Sequence, residues 1–174
     1  MKLFIKFFLL LLIFITPNLA KTEDRIVFIN IEKIMTDSKA GKSISKQLEK
    51  IHKNNISKFK KMETQLKESE EKIVAQKNIL SKEDFQKKIT ELRDEAATYR
   101  KERSESINSL TKKRLEATGQ LINVINPILA EYSEKNSIAM IIQKKNIVIG
   151  KKDSDITDEI LKLVDQKITK IKLD

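Results

Sequence analysis

The chain has 174 residues, with 35 Lys and Arg against 25 Asp and Glu, so its formal net charge is +10. Three Gly, two Pro, no Trp and 5% aromatics exclude a β-sandwich or a Gly-rich α/β enzyme, which need turn residues about every eight to twelve positions. No Cys removes disulfides, thiolate catalysis and sulfur-ligated metals together, and one His leaves imidazole chemistry without partners. The composition suits long helices rich in Lys, Glu, Gln and Leu, in a non-enzymatic protein for which no cofactor or metal is expected.

In chain order, Lys2 and Lys6 precede an unbroken apolar run from Phe7 to Ile15. Thr16, Pro17 and Asn18 break the run, and Ala20 supplies a small residue for cleavage. This is the layout of a secretory signal peptide over residues 1–20, cleaved near Ala20. The alternative is an uncleaved N-terminal anchor, but the run is too short to span a bilayer by itself. With no Cys after it, a lipoprotein anchor is excluded. Cleavage takes two lysines and no acids, which leaves an exported chain of net charge +8.

Ile26-Val27-Phe28-Ile29-Asn30-Ile31 reads as a buried strand. From Ser38 to Tyr132 there are two Gly and one Pro, with apolar residues at helical spacing. So long a stretch must fold back. Ser81-Lys82-Glu83-Asp84 is a capping-box variant that places the turn near 80–81. In that register Gly41 lies opposite Gln120 and beside Gly119. A 4-3 spacing runs through Ile44, Leu48, Ile51, Asn55, Phe59 and Met62 to Ile73 in the first arm. In the second it runs from Phe85 through Tyr99, Arg103, Ser106 and Leu110 to Val124. This heptad-like pattern predicts a coiled-coil hairpin with rods near about 60 Å, degraded in the middle where Asn55 meets Ser106. Asn126-Pro127 predicts a kink as the second arm returns. Ile138–Ile142 and Ile147–Ile149 read as two strands of a hairpin closed by Lys144, Lys145 and Asn146, with Gly150 at its end. Asp155 or Thr157 then caps an amphipathic helix carrying Ile160, Leu161, Val164 and Ile168. The fold class is mainly α with a small β body: a 41–122 hairpin arm projects from a body formed by 21–40 and 123–174.

Residues 41–122 hold twenty Lys and Arg against thirteen Asp and Glu, a net of +7, so nearly all the excess charge belongs to the arm. The register brings Lys58, Lys60 and Lys61 level with Arg100, Lys101 and Arg103, a basic girdle diluted by Glu63 and Glu102. Lys112, Lys113 and Arg114 form a second cluster nearer the body. A charge run is often only a solvated helix face, but segregation onto one element favours a binding role. Acidic polypeptide, anionic lipid and nucleic acid are the ligand classes such a surface attracts. Specific nucleic-acid binding is set aside, because stacking aromatics and recognition motifs are missing from the sequence. His52 lies among lysines with no partner, and Glu70-Glu71 and Asp94-Glu95 read as surface ion-pair groups rather than acid–base pairs.

Two blocks of sequence carry a family resemblance. One is Arg25-Ile26-Val27-Phe28-Ile29-Asn30 leading to Ser38-Lys39-Ala40-Gly41-Lys42. The other is Ile138 to Ile142, Asn146 to Gly150 and Asp155-Ile156-Thr157-Asp158-Glu159-Ile160-Leu161. With export and a basic hairpin between them, the chain resembles the Skp/OmpH family of periplasmic chaperones over 25–174. The resemblance implies a homotrimer whose strands assemble a β-barrel body, with three arms enclosing a cavity for unfolded outer-membrane proteins, held without ATP. Ile26, Val27, Ile29, Ile141, Ile142 and Val148 are then the expected oligomerisation core. Pro127 departs from the family, and no arm motif matches its lipopolysaccharide site, so anionic lipid or lipopolysaccharide remains a candidate partner on charge alone. The expected function is a periplasmic holdase; the alternative is a structural spacer or adaptor in envelope assembly. Apolar residues off the seam (Ile56, Val74, Ile79 and Ile107) favour the holdase.

Overall fold

A computed structural model describes residues 25–173; the signal-peptide reading of 1–20 lies outside them. The elements are β1 (Arg25–Ile29), α1 (Ile31–Asp37), α2 (Lys39–Ala75), α3 (Lys82–Lys135), β2 (Ile138–Gln143) and α4 (Thr157–Lys167). The chain is mainly helical, a long antiparallel hairpin of α2 and α3 on a small body with one strand pair, as the sequence predicts.

β1 and β2 come from opposite ends of the described chain and pair in parallel, with Val27 beside Ile141 and Phe28 beside Ile142. Val27 and Ile29 sit in a buried cluster with Ile34 of α1, Ile44 of α2, Leu121 and Ile125 of α3, and Ile160 and Val164 of α4. Each such side chain withdrawn from water contributes about 1.5–3 kcal/mol before entropy is counted. The two ends of the sequence therefore close one body, and the roots of both arm helices are part of its core.

The expected Ile138–Ile142/Ile147–Ile149 hairpin does not form. Lys144–Asn146 makes a single 3-10 turn, and Ile147–Ile149 pairs with no strand among the described residues. Val148 and Ile149 are 98% and 90% exposed. Tight hairpins need residues that accept positive φ, such as Asn-Gly, and Lys144-Lys145-Asn146 is followed by β-branched Ile147. Lys144 Nζ is drawn instead to Asp155, 2.7 Å away, which carries the chain across to the other side of β1. There Phe28 bridges Asp155 in parallel, and the Ile156 N–H donates to the Phe28 carbonyl at 3.0 Å. Gly150 lies under the Phe28 ring, where a Cβ would come within 2.7 Å of Phe28 Cε1.

Neither capping candidate holds the N-cap of α4: Ile156 sits there without a side-chain cap bond, while Asp155, one residue earlier, accepts the Thr157 N–H on its Oδ1 at 3.1 Å. The Thr157 hydroxyl donates to the same carboxylate and accepts the Asn30 N–H at 2.9 Å, which ties α4 to the end of β1. Burial pushes the Asp155 carboxyl up, but hydrogen bonds from Lys144 and Thr157 and the Lys144 charge outweigh it and hold it below its ordinary range.

Ser38 ends α1 and begins α2, its buried hydroxyl accepting from the Gly41 N–H at 3.1 Å. Gly41 is needed here for close approach, since a Cβ would lie 2.0 Å from the Met35 carbonyl oxygen. Gly119 has open space around its Cβ position, so close approach requires glycine at 41 and not at 119. The tail packs on α2, where the Gln47 amide donates to the Ile171 carbonyl at 2.7 Å and accepts the Leu173 N–H at 3.3 Å.

The turn between the arms spans 76–81. Ser81 caps α3, accepting the Asp84 N–H at 3.1 Å and donating to its carboxylate at 2.6 Å. α2 has 37 residues, about 55 Å of helix. Every expected seam position of α2 from Ile44 to Ile73 is buried or half-buried. In α3 the seam shifts at one place: Arg103 is exposed and Glu102 is half-buried instead. Three- and four-residue steps both stay on one helix face, and Glu102 is the one that meets Lys58. α3 runs on through Pro127 to Lys135. The bond lost by the missing N–H does not end the helix, because the buried Leu121 and Ile125 hold that turn against the body.

Candidate functional site

All six cations expected in the girdle are exposed, and Lys60 and Arg103 line one groove. They are not equivalent. Lys58 is paired with Glu102 across the seam at 2.7 Å and lies 5.5 Å from the Phe59 ring centre. Lys101 approaches Glu105 one turn on at 4.0 Å. Lys60, Lys61, Arg100 and Arg103 make no ion pair among the described residues. The girdle's uncompensated charge is therefore carried by four residues. In the second cluster Lys112 pairs with Glu116 at 3.8 Å, Lys113 is half-buried at the seam and Arg114 is exposed.

Beside the girdle the seam opens into a groove of about 410 Å³ between α2 and α3. Asn55 and Ser106, the weak seam pair, line it and are too short to fill the space that two Leu would occupy. Its floor is Phe59 with Leu110, and its walls are Ile56 and Ile107, 54% and 58% exposed. Lys60 and Arg103 stand at the same groove, with His52 and Glu63. Phe59 is fixed by an edge-on contact with Tyr99 at 6.0 Å between ring centres. The Tyr99 hydroxyl donates to Glu63. That hydrogen bond, with burial, pushes the Tyr99 hydroxyl up in pKa, while Arg103 opposes the shift. The sequence signalled this groove through the Asn55/Ser106 defect and the off-seam Ile56 and Ile107, but not that they face one another.

Nearer the tip a wider cleft is lined by Met62, Leu66, Tyr99, Lys72 and the carboxylates of Glu68, Asp94 and Glu95. The Asp94-Glu95 pair thus borders a cleft rather than lying on a plain outer face. Val74 and Ile79 are 65% and 82% exposed around the turn. Of the residues expected in oligomerisation, Val27 and Ile29 lie in the chain's own core, and Ile141 and Ile142 are half-buried in β2. Ile26 is 53% exposed, and Val148 projects from the unpaired segment. Among the described residues no helix is long and apolar enough to cross a membrane, and no acid or imidazole cluster could hold a metal ion.

A long hairpin rooted in a small sheet-and-helix body, with charged and apolar side chains exposed along the arm, defines the architecture. The chain belongs to the OmpH-like family: the family model described as outer membrane protein (OmpH-like) matches residues 25–164. The fold is shared with the crystal structure of a protein assigned as an outer membrane chaperone (OmpH-like) from Caulobacter crescentus CB15. The TM-score is 0.81 at 13% identity, covering 86% of this chain and 88% of that one. No curated protein matches the chain.

Proposed function

We propose that this chain is an ATP-independent periplasmic holdase. Residues 1–20 direct export and are cleaved near Ala20. Three copies then assemble through their bodies, and unfolded outer-membrane proteins are held between the basic arms. The observation that carries this reading is the coexistence, on one exposed arm, of nearly all the excess positive charge with apolar side chains left off the seam. Exposed charge attracts acidic, unfolded clients over a distance of about 8 Å at physiological salt. Weak apolar contacts at Ile56, Ile107, Val74 and Ile79 then hold many different sequences without needing a shaped pocket for each. The fold neighbour's assignment as an outer membrane chaperone supports the same role.

The test replaces Lys58, Lys60, Lys61, Arg100, Lys101 and Arg103 together by Gln, which keeps helix propensity and lowers the arm from +7 to +1. Client capture, followed by light scattering of a urea-diluted outer-membrane β-barrel protein, is expected to slow and weaken at low salt. A residual salt-insensitive affinity should remain from the apolar contacts. If the variant suppresses aggregation as well as the parent at low salt, the girdle is only a solvated face. If the parent suppresses no aggregation at all, the spacer or adaptor reading takes over.

A further inference from the structure

We propose that the groove beside the girdle recognises unfolded peptide segments in which an apolar side chain stands next to a carboxylate. The inference rests on the holdase reading and adds where on the arm, and by what chemistry, a client is first held.

The groove exists because of two particular residues. Asn55 and Ser106 occupy facing seam positions, and their short polar side chains leave the seam unfilled. The space is lined by the buried Phe59 and the half-buried Leu110, with Ile56 and Ile107, more than half of whose surface is in water. An apolar surface so arranged, concave and a few side chains long, accepts one aromatic or aliphatic side chain. An extended acyl chain would run out of apolar lining at His52 on one side and Glu63 on the other.

The charge beside that space is net positive, two cations against the one carboxylate of Glu63. Lys60 and Arg103 line the groove, and neither makes an ion pair among the described residues. The groove's own carboxylate, Glu63, accepts the Tyr99 hydroxyl's hydrogen bond. Lys58, which does not line the groove, is compensated by Glu102. Charge complementarity therefore calls for an anion, and the planar guanidinium of Arg103 suits a carboxylate in particular. A partner that places its apolar side chain between Ile56 and Ile107 and its carboxylate at Lys60 and Arg103 satisfies both halves of the site. Adjacent Phe-Asp or Leu-Glu residues of an unfolded chain have that chemistry.

The experiment titrates the isotope-labelled mature chain with short Gly/Ser peptides carrying Phe-Asp, Phe-Asn or Ser-Asp, and reads amide shifts along both arms. For the Phe-Asp peptide, shifts are expected at 52–63 and 103–110, with the two controls about tenfold weaker. Lys60→Gln with Arg103→Gln should erase the preference for Asp over Asn while Phe binding persists. Ile56→Ser with Ile107→Ser should abolish both. Equal binding of Phe-Asp and Phe-Asn by the parent, shifts spread evenly along the arms, or equal shifts from decanoate would overturn the proposal. So would peptide-independent shifts that grow with protein concentration, since a second copy would then be the occupant. Aggregation suppression by the parent separates the two readings. If it is retained without a groove preference, the groove fails and the holdase stands. If it is absent while groove-confined peptide shifts persist, the holdase fails and the peptide site stands.

Discussion

Gly41 and Gly119 look alike in the sequence, two small residues at one level of a helical hairpin, and the structure gives them opposite roles. At Gly41 a Cβ would overlap the Met35 carbonyl oxygen, a backbone atom fixed by the α1–α2 corner. Gly41→Ala is expected to destabilise the body by about 3 kcal/mol or more, the upper end of overpacking costs. Gly119 has open space and lies mid-helix in α3, so Gly119→Ala should stabilise by about 0.5–1 kcal/mol through lost unfolded-state freedom. Urea unfolding of the two variants should therefore move in opposite directions from the parent, and parallel shifts would contradict the geometry. The role of Gly41 was not legible because Met35 approaches through tertiary packing of α1 on α2, and no local pattern encodes it. Capping chemistry, which is local, was legible at Ser81, whereas at α4 the cap fell to Ile156 and not to Asp155 or Thr157.

At the scale of elements, the seam of the hairpin could be read from its period, and the failures lie where period alone is ambiguous. Arg103 and Glu102 are both reached from Tyr99 by steps that keep to one helix face, so only the Lys58 contact decides between them. Ile147-Val148-Ile149 has strand composition, but a strand needs an edge to pair with, and the Lys144–Asp155 bond turns the chain away from β2. The groove was half legible, since Asn55 and Ser106 marked a weak seam without showing that an apolar hollow would open there. Filling that hollow tests its origin. Asn55→Leu with Ser106→Leu should gain about 1–3 kcal/mol by burying apolar surface at the seam. Amide hydrogen exchange over 50–60 and 100–112 should slow, since local opening there is limited by that packing. Unchanged exchange would mean that another feature sets the arm's flexibility.

For the whole molecule, the body presents a sheet of two strands whose outer side is only partly covered, and this is where the proposed trimer must be made. A two-stranded sheet, with the second edge of β1 met only at the Asp155 bridge, is marginal in water unless something covers it. Ile26 and Met140 are register partners on β1 and β2, 53% and 54% exposed, and Val148 and Ile149 add two side chains almost wholly in water. Closed assembly of identical copies removes edges and apolar surface together. Val27 and Ile29 cannot share that task without leaving the chain's own core, where both are 1% exposed. Two kinds of substitution should therefore part company. Val27→Asp buries an unpaired charge in the body and should unfold it, seen as loss of helix signal. Met140→Asp with Val148→Asp places charge only on the exposed side, so each chain should keep its fold while sedimentation at micromolar concentration falls from trimer to monomer. If the doubly substituted protein remains trimeric, the contact lies elsewhere, and the second basic cluster and arm roots become the surfaces to examine. If it dissociates, client holding should weaken with it, because a single arm offers its groove and girdle but encloses nothing.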